Sequence, residues 1–447
     1  MAKSVLLTEG NIRKQILAFS WPVFLSMIFS ELYNITNSMI VGNYVSLEAL
    51  SAVSACTWIC NIFNYTFYGL GMGAGILIAR YYGAGDMKNL KRSLDTSVAF
   101  ALVGGVALTV LSETFLPFLM KLCNIGPDLY ANALSYLRVY LIGNTAVLTS
   151  QMCFFILKSF GDTKHQFYYS VISSIINIIL GLIFVRVFHM NVIGTALATI
   201  ISQYATDYLA LRLMFHYEGI NFDIRNMDLS LKVIVDICIL GIPAGFQNML
   251  IAISSVMVQS FINRFPNEVI AGIGVAEKVG NWAQLASVSI SSATMSMVAQ
   301  NMGAEKYDRV QESIRESAIL SSFFTVLSIA IIMTLAPWLV GRFNESPEVI
   351  YYGTRMIRFS NFGMFFASLS HIYNGANRGA GNVRIPMYIA IFSQCICKYL
   401  FVWLGLMFFY DVHVLYLGTA FGFVMAGTMA TLYFYRSQWT LEHQLRK

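Results

Sequence analysis

Apolar runs of about twenty residues or more, separated by short polar clusters, recur from one end of the chain to the other. They predict about twelve helices, near 15–41, 50–79, 93–113, 132–157, 166–187, 192–215, 233–263, 269–299, 313–336, 352–376, 385–409 and 412–435. A membrane-spanning helix needs ~20 mostly apolar residues, and each run is long enough. A transmembrane barrel would instead show short alternating segments. Irregular lipid-facing backbone is excluded, because its polar groups would go unsatisfied. The pattern therefore predicts an all-α integral membrane protein.

Composition points the same way. Charged residues are 12% of the chain and apolar residues 57%, whereas a soluble domain carries ~25% charge. The first apolar run continues past Trp21-Pro22 to Val41, which reads as a spanning helix and not as a signal peptide. Seven cysteines scattered through apolar runs make neither a disulfide framework nor zinc spacing, so they read as small helix-packing residues.

Lysine and arginine set the expected orientation. One alternate set of connecting segments, with both termini, holds 20 of them, and the other set holds 4: Lys121, Arg186, Arg264 and Arg342. The positive-inside rule places the rich set and both termini in the cytoplasm. The net charge of +6 is thereby explained without a nucleic-acid partner. The expected location is the cell membrane, multi-pass.

The chain also repeats itself. Gly83-Ala84 recurs as Gly303-Ala304, 220 residues on, and at that offset Pro117 matches Pro337, Pro127 matches Pro347 and Arg138 matches Arg358. Lys158, Gly161 and Lys164 likewise match Arg378, Gly381 and Arg384. Pro22 matches Pro243 after a slip of one residue, and Gly194-Thr195-Ala196 matches Gly418-Thr419-Ala420 at 224. A register held through loops and helices alike implies two homologous six-helix halves: 1–215, a cytoplasmic linker at 216–232, and 233–447. Six helices is an even number, so the halves run parallel. Parallel repeats about an axis along the membrane normal are one recurring transporter plan.

The repeated elements resemble a known family. Leu240-Gly-Ile-Pro-Ala and Ser20-Trp-Pro-Val each place a proline in the first helix of a half. Each second helix ends in a Gly-Ala turn, Tyr81-Tyr-Gly-Ala-Gly-Asp86 or Gln300-Asn-Met-Gly-Ala-Glu305. Each fourth helix ends in Leu157-Lys-Ser-Phe-Gly-Asp-Thr-Lys164 or Asn377-Arg-Gly-Ala-Gly-Asn-Val-Arg384, and Tyr33-Asn34 with Val41-Gly42 is similar to the family's first helix. Together these resemble the multidrug and toxic-compound extrusion (MATE) family over nearly the whole chain. The resemblance implies a twelve-helix, two-lobe antiporter that exports organic compounds, often cations, against an inward proton or sodium gradient. It implies no ATP, in keeping with the absence of a GxxxxGK[ST] loop. The chain departs from the family where members commonly carry aspartates: Asn37 stands at one position in the first helix and Gly181 at another in the fifth. Where some relatives carry a glutamate in the seventh helix, this chain has Ile251.

Ionisable groups inside spans are functional candidates by default. Glu31 lies about 24 Å along its helix, with Asn34 and Ser38 on the same face and Asn37 beside them. Glu31, Asn34, Asn37 and Asn177 are the ion-coupling candidates, able to hold sodium near Glu31 or to exchange a proton; the competing role for Glu31 is a helix-locking ion pair. Glu277, Asn281 and Gln284 form a polar stripe whose repeat partners include Asn61 and Asn64. It could line a cavity or hold helices together by hydrogen bonds. Lys398 is the deepest basic residue, a candidate for binding or for an internal salt bridge. His371 is a candidate for titration or for packing. Tyr33, Tyr68 and Gln247 complete the substrate-cavity candidates. Arg138 and Arg358 read as snorkelling or paired, and Asp95, Asp162 and Asp236 as solvated helix ends.

The expected function is export of lipophilic, often cationic, compounds by alternating access, without cofactor or catalytic group and as a monomer. The alternative is a flippase for a lipid-linked or amphiphilic precursor, which would need phosphate-binding arginines. An enzyme would need a nucleophile, acid–base or metal constellation, and the sequence shows none.

Overall fold

A computed structural model describes residues 5–44, 47–122, 127–214 and 226–436. Among them the regular structure is entirely helical. The elements are α1 Ile12–Tyr44, α2 Leu47–Ala84, α3 Met87–Leu122, α4 Pro127–Ile142, α5 Asn144–Ser159, α6 Thr163–Leu182 and α7 Asn191–Met214 in the first half. The second half has α8 Leu231–Ile262, α9 Asn267–Gly303, α10 Tyr307–Gly341, α11 Pro347–Gly379, α12 Arg384–Ala390, α13 Lys398–Phe408 and α14 His413–Arg436. A π-helical segment, Ile183–Val187, prolongs α6, and another, Ile391–Cys397, joins α12 to α13. Helices α4 and α5 are one rod bent by 47° beside Gly143. Counted as continuous rods, these elements are the twelve helices that the apolar runs predict. Eight of them, or nine with the bent rod, are long and apolar enough to cross a membrane. Helices α7, α9 and α11 fall short of that composition.

Two compact units emerge. The first comprises Met1–Leu7 with Trp21–Gly245, and the second Thr8–Ser20 with Phe246–Lys447. The boundaries fall inside α1, next to Pro22, and inside α8, just past Pro243. The first turns of each half's leading helix thus belong to the other half's unit. Most of the expected linker, residues 216–225, lies outside the described residues.

The repeat extends to the backbone. Gly85 and Glu305 both have positive φ, as do Gly161 and Gly381, and both pairs stand 220 apart. Helices α4 and α11 both open on the paired prolines Pro127 and Pro347. In the first unit the core gathers Phe67, Leu148, Met152, Ile156 and Phe160. In the second, Val340, Val402 and Tyr416 lie at the centre of another core. Apolar side chains also cover the outside: Val103, Val106 and Val110 of α3, and Phe323 and Val326 of α10, are more than half exposed. In water such faces would be a liability; in lipid they are the solvent boundary. The described cysteines are free thiols, and Cys56, Cys60 and Cys153 are buried among packed helices. Cys123 lies outside the described residues.

Candidate functional site

Four helices of the first unit turn polar faces towards one another. Along α6, Ser170, Ser173, Ser174 and Asn177 recur at i, i+3, i+4 and i+7, and along α7 Thr199, Ser202, Gln203 and Thr206 do the same. That spacing lines one face of a helix. Ser30 and Tyr33 of α1 and Val147, Ser150, Gln151 and Phe154 of α5 complete the wall of a cavity of about 200 Å³. The volume is below that of a drug-sized pocket, ~300–1,000 Å³, and suits a small ion with water or one end of a larger molecule.

Its hydrogen bonds knit the wall. Thr199 is the junction: Asn177 Nδ2 donates to its Oγ1 at 3.0 Å, Tyr33 Oη lies 3.2 Å from the same oxygen, and Thr199 itself donates to the Thr195 carbonyl. Two turns along α7, Asp207 is buried, its Oδ1 accepting from Ser150. Its Oδ2 is buried without a hydrogen-bond partner among the described residues, and so is Oε1 of Gln203, one turn away. Ser150, Gln203 and Thr206 all line the cavity, so the carboxylate sits directly behind the wall.

The structure brings Tyr33 and Asn177 together and leaves other candidates elsewhere. Glu31 and Asn34 are exposed, Asn37 is half-buried with an unpartnered Oδ1, and the Ser38 side chain lies outside those described. On α2, Asn64 pairs with Tyr140 of α4, Tyr68 stacks edge-on against Phe155, and Asn61 is half-buried. Gly181 presents its α-carbon to Ile40 and Ala198, the nearest atoms to an added Cβ lying at 3.7 and 4.0 Å.

In the second unit the candidates form smaller groups. His371 Nε2 lies 3.2 Å from Gln284 Oε1, and Arg378 donates to the buried Gln247 at 2.9 Å. Glu277 and Asn281 are exposed. Lys398 begins α13, directly after the π-helical segment whose Gln394 carbonyl accepts from Ser254 of α8. Glu277 and Lys398 are within electrostatic range of each other but are not in salt-bridge contact. Arg138 and Arg358 are exposed, as snorkelling requires.

Two aspartates differ from the sequence expectation. Asp95 is fully buried, not solvated: Lys91 pairs with it at 3.1 Å and the Asp228 backbone N–H donates to it. Asp162 is buried too, and caps α6 by accepting from the His165 N–H. Both look like solvated helix ends in sequence because neighbouring segments fold over them only in three dimensions. Asp207 is the residue sequence reasoning misses. Its signal is the polar stripe at helical spacing on α7, which ends on the carboxylate. Among the described residues, no group of three or more His, Cys, Asp or Glu is placed to hold a metal ion.

Comparison with known proteins bears on this architecture. The MatE family model matches twice, over residues 22–183 and 243–404. The chain is 25% identical over 394 residues to the Probable multidrug resistance protein YoeA of Bacillus subtilis (strain 168), covering 86% of this chain and 85% of that one. It is 23% identical over 397 residues to the Multidrug export protein MepA of Staphylococcus aureus (strain NCTC 8325 / PS 47), covering 87% and 86%. The fold is similar to that of a multidrug resistance MATE family transporter of the MOP superfamily in an outward-facing conformation, with TM-score 0.93, 20% identity and 99% of each chain covered. A MOP superfamily transporter from Pyrococcus furiosus Vc1 (DSM3638) gives TM-score 0.91 at 20% identity, again over 99% of each chain. With the model matching both halves, and with them most of its length, the chain belongs to the MatE family of membrane transporters.

Proposed function

We propose that the protein is a secondary active antiporter of the cell membrane that exports lipophilic organic compounds, cations among them, in exchange for H+ or Na+. The observation that carries this reading is the polar cavity inside the first unit of a bundle whose outer faces are apolar. Buried polar groups in a membrane are costly and mark substrate or ion pathways. The relatives' multidrug names support the cargo class. Placement of both unit boundaries beside helix-interior prolines supports movement of one half against the other, since proline removes a helical hydrogen bond and marks a natural bend. The cavity wall is uncharged and holds no arginine, which favours this cargo over a phosphate-bearing lipid precursor. In this reading the lysine- and arginine-rich side, with both termini, is cytoplasmic.

The test is transport of a fluorescent lipophilic cation in proteoliposomes, under an imposed pH gradient and then a sodium gradient, in the parent and in Glu31→Gln. Gradient-driven movement in the parent is the expected result. Movement under neither gradient rejects the reading for cations. Loss in Glu31→Gln assigns coupling to Glu31, and its persistence there places coupling on another group.

A further inference from the structure

A carboxylate buried in a membrane bundle without a cation needs a physical reason to be there. Asp207 is such a group. It is 4% exposed, and none of the described cations pairs with it. Ser150 and Cys153 of α5 face it. On α6, Tyr169 donates its hydroxyl to the carbonyl of Leu209, two residues past Asp207, at 3.3 Å. Lys158, the buried cation of α5, sits eight residues beyond Ser150, about 12 Å along the helix, and lies over the Phe155 ring. Thr206 spends its hydroxyl on the Ser202 and Gln203 carbonyls. One carboxylate oxygen therefore has a donor and the other has none.

We infer that Asp207 is the proton-binding group that couples transport, with Ser150 linking it to the cavity. The inference rests on the antiporter reading and names the chemistry of its ion site. Oδ2 of Asp207 and Oε1 of Gln203 are two acceptors one turn apart on the same helix, both unpartnered. A proton on Oδ2 forms one O–H bond, cancels the charge and turns one of these two acceptors into a donor. A sodium ion would need several converging free oxygens. The two unpartnered oxygens here, Oδ2 and Oε1, are fewer than that. Ser150 both lines the cavity and contacts Asp207, so when a proton reaches its Oγ from the cavity the hydroxyl passes its own proton to Oδ1, and a turn of the carboxyl carries that O–H to the Oδ2 position. No carboxylate stands at the corresponding place in the second half, where Thr431 lies 224 residues on; coupling is then a property of the first unit alone.

The consequence for cargo follows from linkage. A cationic molecule in the cavity is attracted by the ionised carboxylate, and protonation removes that attraction. Proton and cation therefore compete, each weakening the other's binding by the same factor.

Two readouts on purified protein test this, one independent of transport. In infrared difference spectra across a pH titration, the parent shows the C=O stretch of a protonated carboxyl, and Asp207→Asn lacks it. Ser150→Ala, which keeps the carboxyl and serves if Asp207→Asn misfolds, shows the band displaced. In proteoliposomes, pH-driven accumulation of a fluorescent lipophilic cation falls at least about tenfold in Asp207→Asn. Survival in Asp207→Asn of that same band, titrating as in the parent, overturns the inference, as does undiminished pH-driven accumulation. Accumulation driven by sodium, lost in Asp207→Asn with no titrating band in the parent, also overturns it. If the parent neither exchanges nor accumulates the cation, the transport reading fails for that cargo, and the infrared band alone decides the proton site.

Discussion

Asn177 Nδ2 donates to Thr199 Oγ1 at 3.0 Å, across the contact between α6 and α7. Tyr33 of α1 reaches the same oxygen, so one hydroxyl ties three helices at the cavity wall. Thr199→Val keeps the shape and removes the hydroxyl, leaving the Asn177 amide, which is buried, without its partner. A stranded buried group costs ~1–3 kcal/mol. Thermal unfolding in detergent should show that loss. Tyr33→Phe should cost less alone, and almost nothing further in the Thr199→Val background, because both changes remove one shared contact. Additive losses would show that the three side chains act separately.

Asp86 gives a pH dependence that lies outside the spans. It stands between α2 and α3, where the Asn89 backbone N–H at 3.1 Å, then the Asn89 side chain at 2.6 Å, hold its carboxyl below the usual range. A carboxyl depressed on folding adds stability above its unfolded pKa, ~3.9, and that stability is lost as pH falls through the lower folded value. Asp86→Ala should therefore lower the midpoint of thermal unfolding at neutral pH. The gap between parent and variant should close only in strongly acidic buffer. A gap independent of pH would assign the effect to the backbone turn instead.

The helices and the repeat were legible in the sequence because both rest on one-dimensional quantities, the length of apolar runs and a fixed offset. Gly85 and Glu305, or Gly161 and Gly381, show that the offset extends to backbone conformation. The candidate site was only partly legible. Tyr33 and Asn177 belong to the cavity, and the polar spacing on α6 and α7 could have located the rest. Which helical face meets another helix is decided by packing, and so Glu31 does not line the cavity although its neighbour Ser30 does. Asp207 carries the same lesson in reverse: its importance comes from what surrounds it, Ser150 on a helix 57 positions away in sequence.

The repeat also predicts a stabilising change. Glu305 adopts φ 58° at the turn where its first-half counterpart is Gly85, with φ 69°. The left-handed region costs a residue with a Cβ ~1–2 kcal/mol, offset in part by the greater freedom glycine loses on folding. Glu305→Gly should raise stability by up to about 1 kcal/mol, and Gly85→Glu should lower it by a similar amount. Thermal midpoints of the two variants, measured side by side, check both signs. A destabilised Glu305→Gly would mean that the glutamate side chain contributes more than its backbone costs.

Close helix packing in the second unit sets a last expectation. A Cβ built on Gly427 of α14 would lie 2.3 Å from the Phe366 carbonyl oxygen of α11, and one on Gly375 of α11 would meet Ser291 of α9 at 2.5 Å at Oγ and 2.8 Å at the carbonyl. In lipid, helices gain little from hiding apolar surface from one another, and small residues that let backbones approach supply the packing instead. Gly427→Ala must push α11 and α14 apart, because the obstructing atom is backbone and cannot rotate away. Overpacking of this kind costs ~1–3 kcal/mol. Gly274→Ala is the control: an added Cβ there meets nothing within 4 Å, and alanine is the better helix former. Unfolding midpoints should therefore fall for Gly427→Ala and hold or rise for Gly274→Ala. Equal midpoints for the two would show that α11 and α14 have slack at this crossing, and that glycine is not what sets their separation.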